Sequence, residues 1–388
     1  EASARAEAGA VAPLIAAGIL QYRRRALNSR RKPGNISEWI EQHSARYENM
    51  LIMDADSAMT AARLTELRYL MEQDSRMGLV QSGIALRPGA TRFAHLQRLC
   101  TRLTGPVFIR GLGRWSAQAG NYWGRNALIR IEAFRGAVHL PALRGPAPSG
   151  GEFLSHDFIE AAWLVNAGWN VAIAPKMRGS LEASPETLES FHRRDRRWCQ
   201  GNLQHIRAIF AYRFHPISRI HLAFGIQSYL SSPIWLTIVL LFLLAGMAPG
   251  AVPILSGALA LLLVPKGVAV LRFWRRTANP GRRRIFLRAT AEELFLSTLV
   301  SPIVMVRQTL AVAAVVLGQD CGWKRSTSGA GPKLPVGALE AAFGLLLVII
   351  AALGGDTAYQ ALWLTLICGP LLMAPWLVPW LDAPRAAR

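Results

Sequence analysis

From about Leu222 onward the chain carries long apolar runs with few charges. In lipid such a run folds only as a helix, because every backbone N–H and C=O must find its partner within the segment. Four segments are of spanning length or nearly so, at about residues 226–248, 252–271, 336–353 and 359–381. A fifth, about 294–317, is apolar but contains Ser301, Pro302, Arg307 and Gln308. Read as one simple span, it would place Lys324, Arg325 and Lys333 outside together with Arg385 and Arg388, against the tendency of basic loops to stay inside. An interfacial helix, a re-entrant helix or a broken pair is therefore expected there. Residues 222–384 read as a membrane region of four to six helices.

The chain is 52% hydrophobic, and its apolar residues are concentrated after about Leu222. The stretch before it, about 220 residues, is long enough to bury a core of its own. A net charge of +20 would suit a nucleic-acid binder. However, Arg272, Arg275, Arg276, Arg282, Arg283, Arg284 and Arg288 directly follow an apolar run, as in a cytoplasmic loop. The expected partner of this charge is membrane lipid, with no nucleic acid. Cys100, Cys199, Cys321 and Cys368 form no CxxC pair and no zinc spacing, so they read as reduced packing residues. The first residues resemble a helix already inside a domain, and the chain reads as truncated at its N-terminus.

Residues 47–56, YENMLIMDAD, suit a buried parallel strand delivering Asp54 and Asp56 to its C-terminal edge, where open α/β sheets bind ligands. A helix over 59–74 and a strand over 77–82 follow, giving a strand–helix–strand alternation and an α/β fold. The Pro/Gly/Ser-rich loop 141–151 leads into a helix with Ser155 as N-cap and Asp157 in its first turn. Residues 185–212 are rich in arginine and aromatics, with Leu203, Ile206 and Phe210 sharing a face roughly with Trp198. That pattern suits a helix at a membrane surface. The expected division is 1–185, 186–221 and 222–384.

Three clusters carry chemistry. Asp54 and Asp56 can hold a divalent cation, Mg2+ or Mn2+, against a diphosphate, although Asp-x-Asp alone also suits a solvated loop. A carboxylate at Asp157 can take a proton from a sugar hydroxyl, or can simply favour the helix dipole. At Trp198 a planar ring offers a platform for a sugar face, and Arg194 and Arg197 can stabilise a departing diphosphate; binding anionic lipid is the alternative.

In that order, followed by membrane helices, these clusters resemble the processive family-two glycosyltransferases, the group of cellulose, chitin and hyaluronan synthases. Arg194 stands where that group usually has glutamine. The stretches YRRRALNSRRKPGNISEWI, MDADSAMT, NYWGRNALIR, LSHDFIEAAWLVNAGW and RDRRWCQGNLQH are similar to its branch that builds the β-1,2-glucose backbone of osmoregulated periplasmic glucans.

The resemblance implies a GT-A-type, Rossmann-like cytoplasmic domain, N-terminally incomplete, followed by a helical transmembrane bundle in a bacterial inner membrane. It implies UDP-glucose as donor and a growing glucan as acceptor, and it suggests an acyl carrier protein as partner. Asp54 and Asp56 become the ligands of the cation and the UDP diphosphate, and Asp157 the general base. Arg197 and Trp198 would sit at the diphosphate and the acceptor sugar, with Arg194 in the glutamine's place. The turn from Lys32 through Pro33 and Gly34 to Asn35 becomes a donor-side loop, Tyr122, Trp123 and Gly124 an acceptor-side wall, and residues 322–329 a gating loop. The uracil-binding strand and aspartate are expected upstream of Glu1, so this chain alone is expected to bind UDP-glucose poorly and not to polymerise. Two other functions fit the residues: a different membrane polysaccharide synthase, and a non-catalytic transporter or scaffold in which Lys266 faces a polar path.

Overall fold

The computed structural model describes residues 2–245, 251–321, 335–354 and 364–385. It divides into two compact units, 1–48 and 49–388. The first contains helices α1 (Ala2–Ala16) and α2 (Arg31–His43). Arg30 and Arg31 adopt left-handed backbone (φ 52° and 48°) at the entry to α2, so the chain turns sharply into the helix. Lys32, Pro33, Gly34 and Asn35 were expected as a turn, but they form the first turn of α2 itself. Proline fits there because its missing N–H lies at a position with no intrahelical acceptor. Glu38 holds α2 to the preceding strand of chain by accepting from Arg25 Nε at 2.8 Å and from Arg23.

The second unit starts with β1 (Asn49–Ile52), β2 (Ala58–Met59), α3 (Ala61–Glu72), β3 (Met77–Ser82), β4 (Ala85–Leu86) and α4 (Arg92–Ser116). It continues through β5 (Ala127–Arg130), α5 (Ile131–Ala137), α6 (His156–Asn166), β6 (Asn170–Ala174), β7 (Ser180–Glu182) and α7 (Leu188–Ala211). One mixed sheet has the order β1-β5-β3-β6, and a smaller one the order β2-β7-β4. β3 is buried along its whole length and pairs parallel with β6 and antiparallel with β5. α3 begins at Thr60, whose hydroxyl accepts from Arg63 N, and its Leu67 and Met71 pack on Met77, Val80 and Leu128. Leu67, Leu79 and Ile129 are completely buried, and each such side chain contributes about 1.5–3 kcal/mol.

β1 departs from expectation. It is neither buried throughout nor parallel: it pairs antiparallel with β5 and lies at the edge of the sheet. With a strand on one side only, three of its four residues stay half-exposed.

Four helices follow: α8 (Pro216–Ala245), α9 (Ala251–Arg276), α10 (Pro280–Val316) and α11 (Ala338–Gly354). After them comes a pair, Thr365–Leu372 and Ala374–Asp382, bent by 73°. Among the described residues three helices are long and apolar enough to cross a membrane, or four if the bent pair counts as one. α11, at 17 residues, is about 25 Å long, short of the ~30 Å hydrocarbon core.

The segment expected as an interfacial helix, a re-entrant helix or a broken pair, about 294–317, belongs to one continuous helix of 37 residues that ends at Val316. Its polar groups are satisfied by neighbours. Arg307 pairs with Glu340 and, at 3.3 Å, with Glu189. Gln308 donates to Asp195 at 3.1 Å and accepts from Ser232 at 2.6 Å. The break falls instead in the last segment.

The expected boundaries at 185 and 221 both lie inside the second unit. One hydrophobic core runs from Phe93, Leu96 and Leu188 to Val239, Val300, Leu347 and Leu371. α9 is the most exposed of the long helices, and polar contacts at Lys266 and Trp274 tie it to α10. Lys266 Nζ meets both Glu293 carboxylate oxygens at 2.9 and 2.8 Å, and Cys100 Sγ of α4 donates to the same carboxylate at 3.2 Å.

Candidate active site

Asp54 and Asp56 follow β1 in a turn closed by Ser57 N donating to Asp54 O at 3.0 Å. Asp54 is half-buried and Asp56 exposed.

The stretch from Asn121 to Asn126 leads into β5, the partner of β1, in a backbone that two left-handed residues make possible, Gly124 (φ 75°) and Asn126 (φ 50°). Gln81, fully buried on β3, fixes this stretch: its Oε1 accepts from Trp123 N and its Nε2 donates to Arg125 O, both at 3.0 Å. Asn126 Nδ2 donates to Ser180 Oγ at 2.8 Å. Gly124 supports Asp157, since a Cβ added there would lie 3.3 Å from Asp157 Oδ2. Glycine is required twice over at this position, for the sign of φ and for the approach of the carboxylate.

Asp157 sits in the first turn of α6. The expected Ser155 cap does not form: its side chain makes no capping bond. Helix α7 positions this end instead. Gln204 accepts from Leu154 N at 3.0 Å, His205 Nε2 contacts Ser155 O at 2.8 Å, and Gln204 Nε2 donates to Pro148 O and Gly150 O at 3.2 Å. The buried face of α7 is therefore largely polar (His192, Asp195, Gln200, Asn202, Gln204, His205), whereas Phe210 stays exposed. α7 approaches so closely at Gly201 that a Cβ would come within 2.6 Å of Ser155 N. Gly201→Ala is accordingly expected to lower stability by about 1–3 kcal/mol and to displace the Asp157 turn. Thermal unfolding and transferase assay of the purified variant check this; unchanged values in both would show that the contact relaxes freely.

Burial pushes the Asp157 carboxyl above the usual carboxylate range. Neighbouring His156 pulls it back, Glu160 adds to the rise and Arg125 opposes it. A carboxylate so placed is a stronger proton acceptor than a solvated one. Tyr122 is completely buried, so it lies behind the expected wall and not on its surface. Among the described residues its hydroxyl has no hydrogen-bond partner, and burial, reinforced by Glu160, Asp157 and Asp54, raises its pKa well above the ordinary value.

Arg125 and Glu182 went unremarked in the sequence. Glu182, at the end of β7, binds Arg125 Nε and accepts from its Nη2 at 3.1 Å. Burial works against the Arg125 charge, but the Glu182 bond and charge outweigh it and hold the guanidinium above its ordinary pKa. Arg125 does lie in the NYWGRN stretch, but its partner comes 57 residues later.

Over the Trp198 ring lie two guanidinium groups, Arg194 at 4.4 Å and Arg125 at 5.9 Å from the centroid. Arg125, Glu182, Arg194 and Trp198 line one end of a cleft of about 760 Å³ that continues between the long helices past Trp235 and Val300. Burial lowers the Arg194 pKa, and among the described residues its Nε has no hydrogen-bond partner.

Electrostatic coupling joins Asp54, Tyr122, Arg125 and Asp157, and through Arg125 reaches Arg194, which also couples to Glu182 and Asp56. Arg197, half-buried, lies one helical turn after Arg194 on α7. Lys32 and Asn35 belong to the first unit, where Asn35 accepts from Arg23. The expected gating loop, 322–329, lies outside the described residues.

Among the described residues no three metal-ligating side chains converge. Two carboxylates in one turn still suit a cation that keeps most of its coordination for water and phosphate oxygens.

Residues 50–270 match the profile described as glycosyl transferase family group 2. A Rhodopseudomonas palustris (strain TIE-1) protein named glucans biosynthesis glucosyltransferase H is 37% identical over 392 residues, 93% of this chain and 52% of its own. Proteins of the same name from Vibrio cholerae serotype O1 (strain ATCC 39541 / Classical Ogawa 395 / O395) and Shewanella sp. (strain ANA-3) are 41% and 39% identical. Those matches cover 78% and 81% of this chain, and 46% and 47% of the relatives. The chain thus spans about half the length of the curated relatives it matches.

Proposed function

The chain belongs to glycosyl transferase family group 2, and from that premise we propose that it carries the catalytic base, cation site and acceptor platform of an inverting, membrane-bound glucosyltransferase. The observation that carries this reading is the position of Asp157: packed against Gly124 and coupled to Arg125, which lines the cleft whose end bears Trp198.

The donor is UDP-glucose, and the acceptor is the end of a growing β-1,2-linked glucan. Asp157 takes the proton of the acceptor hydroxyl as its oxygen attacks the anomeric carbon and the bond to UDP breaks. Asp54 and Asp56 are the residues that would hold Mg2+ or Mn2+, which when bound neutralises charge on the diphosphate. Arg194 and Arg197 supply further positive charge on the leaving-group side, and Trp198 supports a sugar face. The soluble layer is read as a GT-A-type, Rossmann-like arrangement on the cytoplasmic side of a bacterial inner membrane, from the arginines between α9 and α10. The continuation of the cleft between the long helices supports coupling of synthesis to export.

A transport role for Lys266 loses its motive, since that charge is already matched by Glu293. Membranes containing the full-length gene product, supplied with UDP-[14C]glucose, are expected to yield a glucan whose linkage analysis reports β-1,2 bonds. Another linkage would move the protein to a different synthase branch, and no incorporation would sink the transferase reading.

A further inference from the structure

Two arginines flank Trp198, and they differ in their surroundings. Among the described residues Arg194 makes no ion pair, although Glu182, Arg125, Asp56 and Asp195 all lie close enough for their charges to couple with it. Arg125 is neutralised by Glu182. A lone guanidinium suits an anion such as a diphosphate. A guanidinium already matched by a carboxylate does not, because the carboxylate repels the same anion. What the pair offers is mixed: a guanidinium has five N–H donors, and each carboxylate oxygen has a second lone pair. Arg125 commits its Nε and Nη2 to Glu182 and only a long Nη1 contact, 3.4 Å, to Trp123 O. Both side chains retain some exposure, 19% and 11%, and both line the cleft beside Trp198. A neutral polyol, each of whose hydroxyls donates and accepts, matches such a surface.

Resting on the function proposed above, we infer that the Arg125–Glu182 pair is the polar half of the acceptor subsite, holding hydroxyls of the terminal glucose beside Trp198. The pair is joined to the base by covalent neighbourhood, since Arg125 directly follows Gly124, on which the Asp157 carboxylate rests. A shift in the pair therefore changes which acceptor hydroxyl meets Asp157. The pair's hydrogen bonds run between its two members and to Trp123 O, while its charges couple to Asp54 and Arg194.

The test separates glucosyl transfer from hydrolysis, in which water replaces the acceptor and UDP-glucose gives UDP and glucose. Membranes with the full-length protein receive UDP-[14C]glucose, and free glucose and glucan are counted separately. In Glu182→Gln the ratio of hydrolysis to transfer is expected to rise by about tenfold, the size of one lost hydrogen bond to a charged group. The KM for added glucan oligosaccharide should rise while the KM for UDP-glucose holds. Arg125→Lys keeps the charge but loses the planar fork, and it should raise the same ratio even if Glu182→Gln accumulates poorly in membranes. Parallel loss of transfer and hydrolysis in Arg125→Lys, with the ratio unchanged, would mean that the pair only braces the fold and would overturn the inference. Absence of any turnover in the unmodified protein would instead strike the proposed function itself.

Discussion

Asparagine in place of Asp157 is expected to cut glucosyl transfer by about 10²–10⁴-fold, the usual contribution of a positioned general base, with the protein still inserted at its normal level. The isosteric amide keeps the contact with Gly124 and removes only the ability to take a proton. Burial raises the carboxyl above its ordinary value of 3.8, and a base works only when deprotonated. In the unmodified enzyme, activity should therefore fall as pH drops through that raised value, earlier than a solvated aspartate would require, and the variant's residual activity should lack this acid limb. The stability effect has the opposite sign. A carboxyl whose folded pKa is raised contributes most below its unfolded pKa, and that contribution is lost as pH rises through the folded one. At neutral pH the Asn variant should then unfold at the same temperature or higher. A pH–rate profile and a melting curve on both proteins decide the matter; undiminished transfer by the variant would remove Asp157 from the chemistry.

Removing the positive member of the Lys266–Glu293 pair should have the largest effect on stability. Glu293 is 2% exposed, so Lys266→Met leaves a carboxylate uncompensated among apolar helices, at a cost of about 3–5 kcal/mol. The double replacement of Lys266 and Glu293 by methionine removes both charges and should recover most of that loss, since a well-packed apolar pair often matches a buried ion pair. Unfolding titrations of the two single variants and the double variant form a complete cycle. A Lys266→Met protein as stable as the parent would show that water already reaches the pair. A double variant that folds well but no longer transfers glucose would return Lys266 to a functional role.

The legible parts of the sequence were those decided locally. β3 falls on residues 77–82 as expected, because a six-residue buried run between turns needs no distant partner to identify it. α3 begins two residues later than expected, where the Thr60 hydroxyl caps it. Asp54, Asp157 and Trp198 were marked by residue type and order alone. Long-range pairings were not legible. The direction of β1 depends on β5, which comes some eighty residues later in the chain and reverses the expected parallel pairing. Arg307 and Gln308 looked like interruptions because Glu340, Asp195 and Ser232, which satisfy them, lie far off in sequence. The Arg125–Glu182 pair was invisible for the same reason.

α7 lies between the Asp157 turn and the long apolar helices α8 and α10. One of its faces holds the Asp157 turn through Gln204 and His205, and its Asp195 binds Tyr229 of α8 and Gln308 of α10. For anyone seeking a detergent-free version of this protein, the helix leaves no good place to cut. Ending the chain at 185 discards Arg194 and Trp198 together with the brace behind the Asp157 turn. Ending it at 221 keeps those residues but strands Asp195 and opens the core shared by Leu188 and Val300. Solubility would have to come from redesigning the outward surfaces of the long helices, with their inner contacts left intact.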